Sequence, residues 1–153
     1  MPAPHVRRIV TGHDAEGRSI IQSDSPAPTD RFAQVWTTAE FPANNQDATD
    51  GGERPVGIAL PGGSVFRIGE IAPGANSPMH RTRSIDYGIV LEGELDMELD
   101  GGETVHLGPG DVVVQRGTMH AWINNSDRPT RMAWILLDAL PVVIDGRTLE
   151  PNM

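Results

Sequence analysis

The sequence contains no cysteine, so disulfide bonds and thiolate chemistry are excluded. Aromatic residues make up only 5% of the chain, and we therefore expect a core of Val, Ile, Leu and Met. No apolar run approaches the length that crosses a membrane, and no N-terminal segment has the apolar region of a signal peptide. These absences predict a cytoplasmic protein with no membrane contact.

Basic residues are also scarce. Lys and Arg number 12 against 21 Asp and Glu, which gives a formal charge of −9 at pH 7. Nucleic acids and anionic membranes are bound by clustered cations. The charge therefore argues against both kinds of partner, and it is typical of an acidic, solvated surface.

Glycine and proline are abundant, with 17 and 13 residues, as expected for short strands joined by tight turns. From residue 64 onward, apolar runs and turn signals recur about every 8 to 12 residues. Leu95, Met97 and Leu99 alternate with acidic residues, which predicts a half-buried strand, and the turn 100–102 follows it. The pattern predicts an all-β sandwich or jelly-roll barrel.

The length of 153 residues predicts one domain with three parts. Residues 1–60 contain short strands and a polar loop, and they have too little apolar content for a core of their own. We expect them to cover a sheet edge or to exchange strands with a partner subunit. Residues 61–140 form the barrel and 141–153 an extension. The loop 44–61 is either a lid or a connector.

The segment 74–124 contains the residues best suited to chemistry. His80, Asp86 and His120 lie on different predicted strands, and they meet only if the sheet curls back on itself. If they meet, they form either a metal face of two His and one carboxylate with open positions, or a metal-free acid–base cluster.

The spacing of these residues resembles the two cupin motifs. Gly74, His80, Thr82, Asp86 and Gly93 follow the first motif, G-x5-H-x-H-x3,4-E-x6-G, and residues 110–124 resemble the second. The resemblance covers roughly the last two-thirds of the chain. It implies a double-stranded β-helix, or jelly roll, and a homodimer formed through the N-terminal strands.

Metal-binding cupins use the two His and the Glu of the first motif and the His of the second. The resemblance therefore implies His80, Asp86 and His120 as ligands of Fe(II), Mn(II) or Zn(II). Thr82 stands in place of one His, and Asp86 is one methylene shorter than Glu, so we expect weakened metal affinity. Gln115 stands where the family usually has Pro.

Four residues are candidates for contacting a substrate. Arg67 alternates with Phe66 and Ile68, so it either points inward to clamp a carboxylate or lies exposed at an edge. Trp122 shares strand parity with His120 and is either a pocket wall or plain core. The polar side chains that remain, Thr82 and Gln115, are candidates for hydrogen bonds to substrate.

The function that these residues favour is an enzyme acting on a small oxygenated organic molecule, such as a carboxylate or a 1,3-dicarbonyl. A metal would polarise a substrate oxygen in a lyase or isomerase reaction, for example decarboxylation or dehydration. Without a metal, Asp86 would act as base and His120 as acid. Two alternatives stay open. One is an Fe(II)-dependent dioxygenase, and the other is a non-catalytic binding module with a degenerate metal site.

Overall fold

A computed structural model describes residues 4–152, and every helix or strand in that range is a β-strand. The strands are β1 Arg7–His13, β2 Ser19–Pro26, β3 Ala33–Thr38, β4 Ser64–Ile71, β5 Ser84–Glu92, β6 Leu95–Leu99, β7 Thr104–Leu107, β8 Val112–Arg116, β9 His120–Ile123, β10 Thr130–Asp138, β11 Val142–Ile144 and β12 Arg147–Leu149.

Two antiparallel sheets enclose the core. A five-stranded sheet has the order β3-β4-β10-β5-β8, and a three-stranded sheet has the order β7-β6-β9. Buried apolar side chains from both sheets pack in one cluster: Val90, Leu95, Met97, Leu107, Trp122 and Met132. Burial of this apolar surface holds the two sheets together. The predicted all-β jelly-roll fold is confirmed, and one Trp joins the aliphatic and Met side chains of its core.

One face of the five-stranded sheet carries the polar residues of interest. Strand β10 pairs with β4 and β5, so that Trp134 lies opposite Arg67 and Gly88. In the next pair of strands, Asp86 lies opposite Gln115. Directly opposed residues project from the same face of a sheet. Arg67 is therefore buried on the inner face, in agreement with the inward alternative.

Two glycines make turns around the site possible. Gly93 has a φ of 82°, and a Cβ there would lie 2.8 Å from the carbonyl oxygen of Pro129. Gly117 has a φ of 66° and directly follows the last residue of β8. Both backbones occupy the left-handed region, which favours glycine.

The N-terminal part forms the hairpin β1–β2 and a long loop. Strand β2 extends from Ser19 to Pro26. Arg8 donates to both carboxylate oxygens of Asp50 at 2.6 and 2.7 Å, and Thr37 donates to the carbonyl oxygen of Gly51. These bonds hold the loop 44–61 against β1 and β3.

The C-terminal extension contains a hairpin that the sequence analysis did not predict. Its strands, β11 and β12, have three residues each and are joined at Asp145 and Gly146, both with positive φ. Asn152 forms an isolated bridge with Arg81. The strands are too short to show an alternating pattern, although Asp-Gly is a hairpin turn signal.

Across residues 4–152 there is no helix with the length and apolar character required to cross a membrane.

Candidate functional site

An isolated β-bridge joins His80 to His120. Each backbone N–H donates to the carbonyl oxygen of the other residue at 2.9 Å. Such a pair of antiparallel residues lies directly opposed, with the two side chains on one face. The imidazole centroids are therefore only 4.3 Å apart, with the rings tilted by 52°. Residues from two distant segments of the chain thus form one pair.

Each imidazole is oriented by a backbone carbonyl. Nδ1 of His80 lies 2.8 Å from the oxygen of Pro78, and Nδ1 of His120 lies 2.9 Å from the oxygen of Thr118. A carbonyl only accepts hydrogen bonds, so both Nδ1 atoms carry a proton. In the neutral rings Nε2 then has a free lone pair. The pair can accept a proton or bind a cation through Nε2.

Asp86 is buried and is contacted by two hydroxyl groups. The Thr82 hydroxyl donates to Oδ2 at 3.1 Å, and the Ser84 hydroxyl lies 2.5 Å from Oδ1. The two hydroxyl oxygens are 2.8 Å apart. Both oxygens of the Asp86 carboxyl therefore lie against hydroxyl groups.

Burial moves the pKa values of the acid and the base in opposite directions. It raises the pKa of Asp86 above its ordinary value, although the bonds from Ser84 and Thr82 and the charge of His80 act the other way. Burial, with a contribution from His80, lowers the pKa of His120 to about 4, against the effect of the Thr118 carbonyl. Both shifts favour uncharged forms, as desolvation requires. His120 is therefore neutral at pH 7.

The predicted metal face is not assembled. Among the described residues no group of three or more His, Cys, Asp or Glu is placed to hold an ion. His80 and His120 have the orientation of ligands, because each Nδ1–H donates to a carbonyl. The two oxygens of Asp86 instead accept from hydroxyls. These side chains offer two ligands and do not fit the three-ligand centre.

The polar candidates lie around Asp86. Thr82 contacts its carboxyl directly. Gln115 lies opposite Asp86, and its side chain contacts the sulfur of Met97 and accepts from the Thr118 hydroxyl. The amide of Gln115 is therefore oriented by its neighbours and is not in hydrogen-bond contact with Asp86.

Trp122 belongs to the core and also contacts His120. Its side chain is buried in the main apolar cluster. Its ring also meets that of His120 edge to face, with centroids 5.3 Å apart. The indole is therefore core on one side and a wall for the imidazole on the other.

Arg67 is not part of the cluster around Asp86. Its guanidinium donates to the carbonyl oxygens of Gly57 and Ile58 at 2.7 and 3.0 Å and lies over the ring of Phe32. The side chain points inward, as in one of the two predicted alternatives, but its hydrogen-bond partners belong to the N-terminal part of the protein.

Three other residues near these strands lie outside the cluster around Asp86. Asn124 is fully buried and donates to the carbonyl oxygens of Ile71 and Arg128, which stabilises the backbone. His106 lies on the surface and bonds Asp96, outside the site. Tyr87 is exposed on the outer face of the sheet.

Ser84 is a site residue that the sequence analysis missed. It shares strand parity with Asp86, and this is the signal that would have identified it. Thr82 and Ser84 also line a cavity of about 180 Å³ beside the segment 139–149. The cavity brings solvent-accessible space close to the hydroxyls that contact Asp86.

Sequence comparisons relate this chain to known proteins. The cupin domain model matches residues 67–136. The phomopsin biosynthesis cluster protein C' of Diaporthe leptostromiformis is 43% identical, over 93% of this chain and 83% of its own length. The cupin-domain-containing oxidoreductase fogC of Aspergillus ruber is 38% identical, over 95% of this chain and 78% of its own.

A solved cupin 2 conserved barrel domain protein from Salinispora arenicola is 25% identical, with a TM-score of 0.47, over 57% of this chain and 72% of its own. The residues matched by the cupin domain model include Asp86 and His120. The similarity to the fungal relatives extends over nearly the whole chain. The chain belongs to the cupin family.

Proposed function

We propose that this protein is an enzyme that moves a proton on a small oxygenated organic molecule, in a lyase or isomerase reaction. The single observation that carries the proposal is the pairing of two imidazoles, each with a free Nε2, near a buried carboxyl whose surroundings favour its protonated form. An acid whose pKa is raised by burial and a base whose pKa is lowered by burial are suited to concerted proton transfer.

The proposed roles follow from the directions of the two pKa shifts. His120 is neutral, so its Nε2 accepts a proton from the carbon beside a substrate carbonyl. Asp86 donates its proton to the carbonyl oxygen or to a departing hydroxyl group, which leaves as water. This is the reverse of the assignment from sequence, in which Asp86 was the base and His120 the acid. His80 lies beside His120. It either orients the imidazole of His120 or relays the proton that His120 accepts.

The relatives support a role in small-molecule metabolism. One is named for a biosynthesis cluster and another as an oxidoreductase, and each is aligned over more than nine-tenths of this chain. A small substrate also suits the site, where Trp122 presents an apolar ring edge to His120.

Deuterium exchange tests the proposal directly. Purified protein is incubated in D₂O with a panel of small 1,3-dicarbonyl and 3-hydroxycarbonyl compounds, and proton NMR follows both loss of the C2 proton and elimination of water. We expect at least one compound to react faster than in buffer. His120→Ala removes the base and abolishes the acceleration, whereas His106→Ala, which changes an exposed imidazole outside the site, retains it.

Two results would contradict this function. In the first, no compound in the panel exchanges or eliminates faster than in buffer, which favours the non-catalytic binding module. In the second, His120→Ala is as active as the wild type, which removes the imidazole pair from the chemistry.

Oxidation is a second candidate, because relatives about 40% identical carry the name oxidoreductase. The same panel is assayed with and without air, after addition of Fe(II), and products are identified by mass spectrometry. A product with added oxygen that forms only in air supports the dioxygenase. A product that loses water or carbon dioxide without air supports the lyase.

Elemental analysis tests the metal-assisted version of either reaction. Two His ligands without the carboxylate predict substoichiometric iron, manganese and zinc after dialysis of the untagged protein. Near-stoichiometric metal that disappears in His80→Ala would instead establish the predicted metal centre.

We also propose that the protein is a homodimer joined through β1 and β2. The hairpin exposes Ile9, Ile20 and Ile21, three apolar side chains that an isolated chain would leave in water. Light scattering is expected to give the mass of two chains for the wild type and of one chain for Ile20→Asp combined with Ile21→Asp. A monomeric wild type would exclude the dimer.

A further inference from the structure

Arg67 is a buried cation that lacks a counter-ion among the described residues. Its exposure is only 9%, and its hydrogen bonds go to two neutral carbonyls, while its Nε has no partner. Burial also lowers the pKa of the guanidinium. An unpaired buried charge is costly, and proteins normally pair it or let a ligand pair it.

Arg8 shows what a compensated guanidinium looks like in the same protein. It is 6% exposed and has an unpartnered Nε as well, but it donates to both oxygens of Asp50. Both arginines also lie near an aromatic ring, Trp36 for Arg8 and Phe32 for Arg67. The two environments therefore differ chiefly in the missing carboxylate beside Arg67.

A cavity of about 300 Å³ is lined in part by Arg67. Arg67 lines it together with Gln34, Arg31 and the ring of Phe32, and the apolar side chains of Pro28 and Val56 form part of the wall. The cavity also contains Asp30, which forms no salt bridge with Arg67. His80, Asp86 and His120 do not line it. The space is thus cationic, partly apolar and separate from the acid–base cluster.

We propose that this cavity is a second ligand site, which binds a small carboxylate with a flat or apolar body. The carboxylate would pair with the guanidinium of Arg67, with a smaller contribution from the exposed Arg31, and the body would lie against Phe32 and Val56. Guanidinium groups bind carboxylates through charge-assisted hydrogen bonds, and aromatic rings provide apolar contact area. This site does not depend on the reaction proposed for the acid–base cluster.

Calorimetric titration with sodium benzoate tests the site, with benzamide as the uncharged compound of matched shape. We expect benzoate to bind about tenfold or more tightly than benzamide, as a charged hydrogen bond implies. Nitrogen–proton NMR is expected to show shifts at Phe32 and Val56 and not at His120 or Trp122. This mapping uses the wild-type chain, so it does not depend on the folding of a variant.

Four variants sharpen the result. Arg67→Met removes the charge at similar volume and is expected to lose the preference for benzoate over benzamide. Arg67→Lys keeps the charge but not the planar guanidinium group, and it is expected to keep part of the preference for benzoate. Asp30→Asn removes a negative charge that repels the benzoate carboxylate, and it is expected to tighten benzoate binding. His120→Ala binds benzoate as the wild type does.

Three outcomes would overturn the proposal: benzoate fails to bind the wild type, benzamide binds equally well, or His120→Ala loses benzoate binding. The last would assign the carboxylate to the acid–base cluster.

Discussion

The inner face of the five-stranded sheet carries two buried polar regions that differ in how fully the protein satisfies them. In the first region, hydroxyl groups contact both carboxyl oxygens of Asp86, and backbone carbonyls accept hydrogen bonds from Nδ1 of His80 and of His120. The Nε2 lone pairs of the two imidazoles are then the groups without a described partner. Around Arg67, a whole positive charge has only neutral partners. The first region is suited to moving one proton, and the second to binding an anion. Unsatisfied groups thus indicate which chemistry each region is missing.

The largest expected effect is that of Asp86→Asn on the reaction. Asn retains a similar shape and can still bond the hydroxyls of Thr82 and Ser84, but it cannot deliver a proton. We expect the rate to fall roughly 100- to 10,000-fold, the usual contribution of a general acid or base, with little change in melting temperature. Asp96→Asn changes an acidic residue outside the cluster and should leave the rate unchanged. If both variants keep the wild-type rate, Asp86 is not the acid.

The acid–base region is also expected to make stability depend on pH. His120 has a pKa of about 4 in the folded protein, below its ordinary value of 6.5. The unfolded chain therefore binds more protons between these values, and stability is lost as the pH falls from 6.5 towards 4. The loss attributable to His120 is up to about 3 kcal/mol, at 1.36 kcal/mol per pKa unit.

Urea unfolding at pH 7 and pH 4.5, compared between the wild type and His120→Gln, measures that loss. The wild type should lose more stability than the variant over this interval. The raised pKa of Asp86 has the opposite sign, since its contribution is lost as the pH rises, and it is common to both proteins. Equal losses would show that His120 is not buried in its neutral form.

The comparison between the two arginines is tested by their Met variants. Arg8→Met leaves Asp50 without its partner, and we expect a cost of about 2 kcal/mol, since Asp50 is itself partly exposed. Arg67→Met removes a charge that has no counter-ion, so the cost is expected to be smaller, within about 1 kcal/mol of zero. Urea denaturation measures both. A larger loss for Arg67→Met would show that its bonds to the loop outweigh the burial of its charge.

The smallest expected effect is that of Ser84→Ala. The Ser84 bond lowers the pKa of Asp86, so its loss raises that pKa further. The limb of the pH–rate profile that reports Asp86 should move to higher pH, with a change of about tenfold or less in rate at pH 7. Ser23→Ala changes a hydroxyl of the β1–β2 hairpin and should leave the profile unchanged. A fall in rate with an unmoved limb would limit Ser84 to a structural role.

Much of the fold was predictable from local pattern. Strand β6, Leu95–Leu99, agrees with the strand predicted from the alternation of Leu95, Met97 and Leu99, because alternation and turn residues are properties of neighbouring positions. The hairpin of β11 and β12 was not predicted, because strands of three residues contain too few positions to alternate.

The candidate site was predictable in part. Motif spacing identified His80, Asp86 and His120, and strand parity would have added Ser84. The orientation of each imidazole was not predictable, because it depends on carbonyls of Pro78 and Thr118 whose directions follow from the folded backbone. The metal ligands could not be predicted from the sequence, because the partners of a carboxylate are its neighbours in the folded chain.

The sequence by itself determined the all-β architecture, the family and the residues that pair across the β-bridge, because these follow from periodicity and from motif spacing along the chain. Only the tertiary structure decided that Asp86 bonds two hydroxyls, that His120 is desolvated, and that Arg67 lies buried beside a cavity without a counter-ion. Burial and charge compensation depend on contacts between distant segments, and these contacts exist only once the sheets have packed.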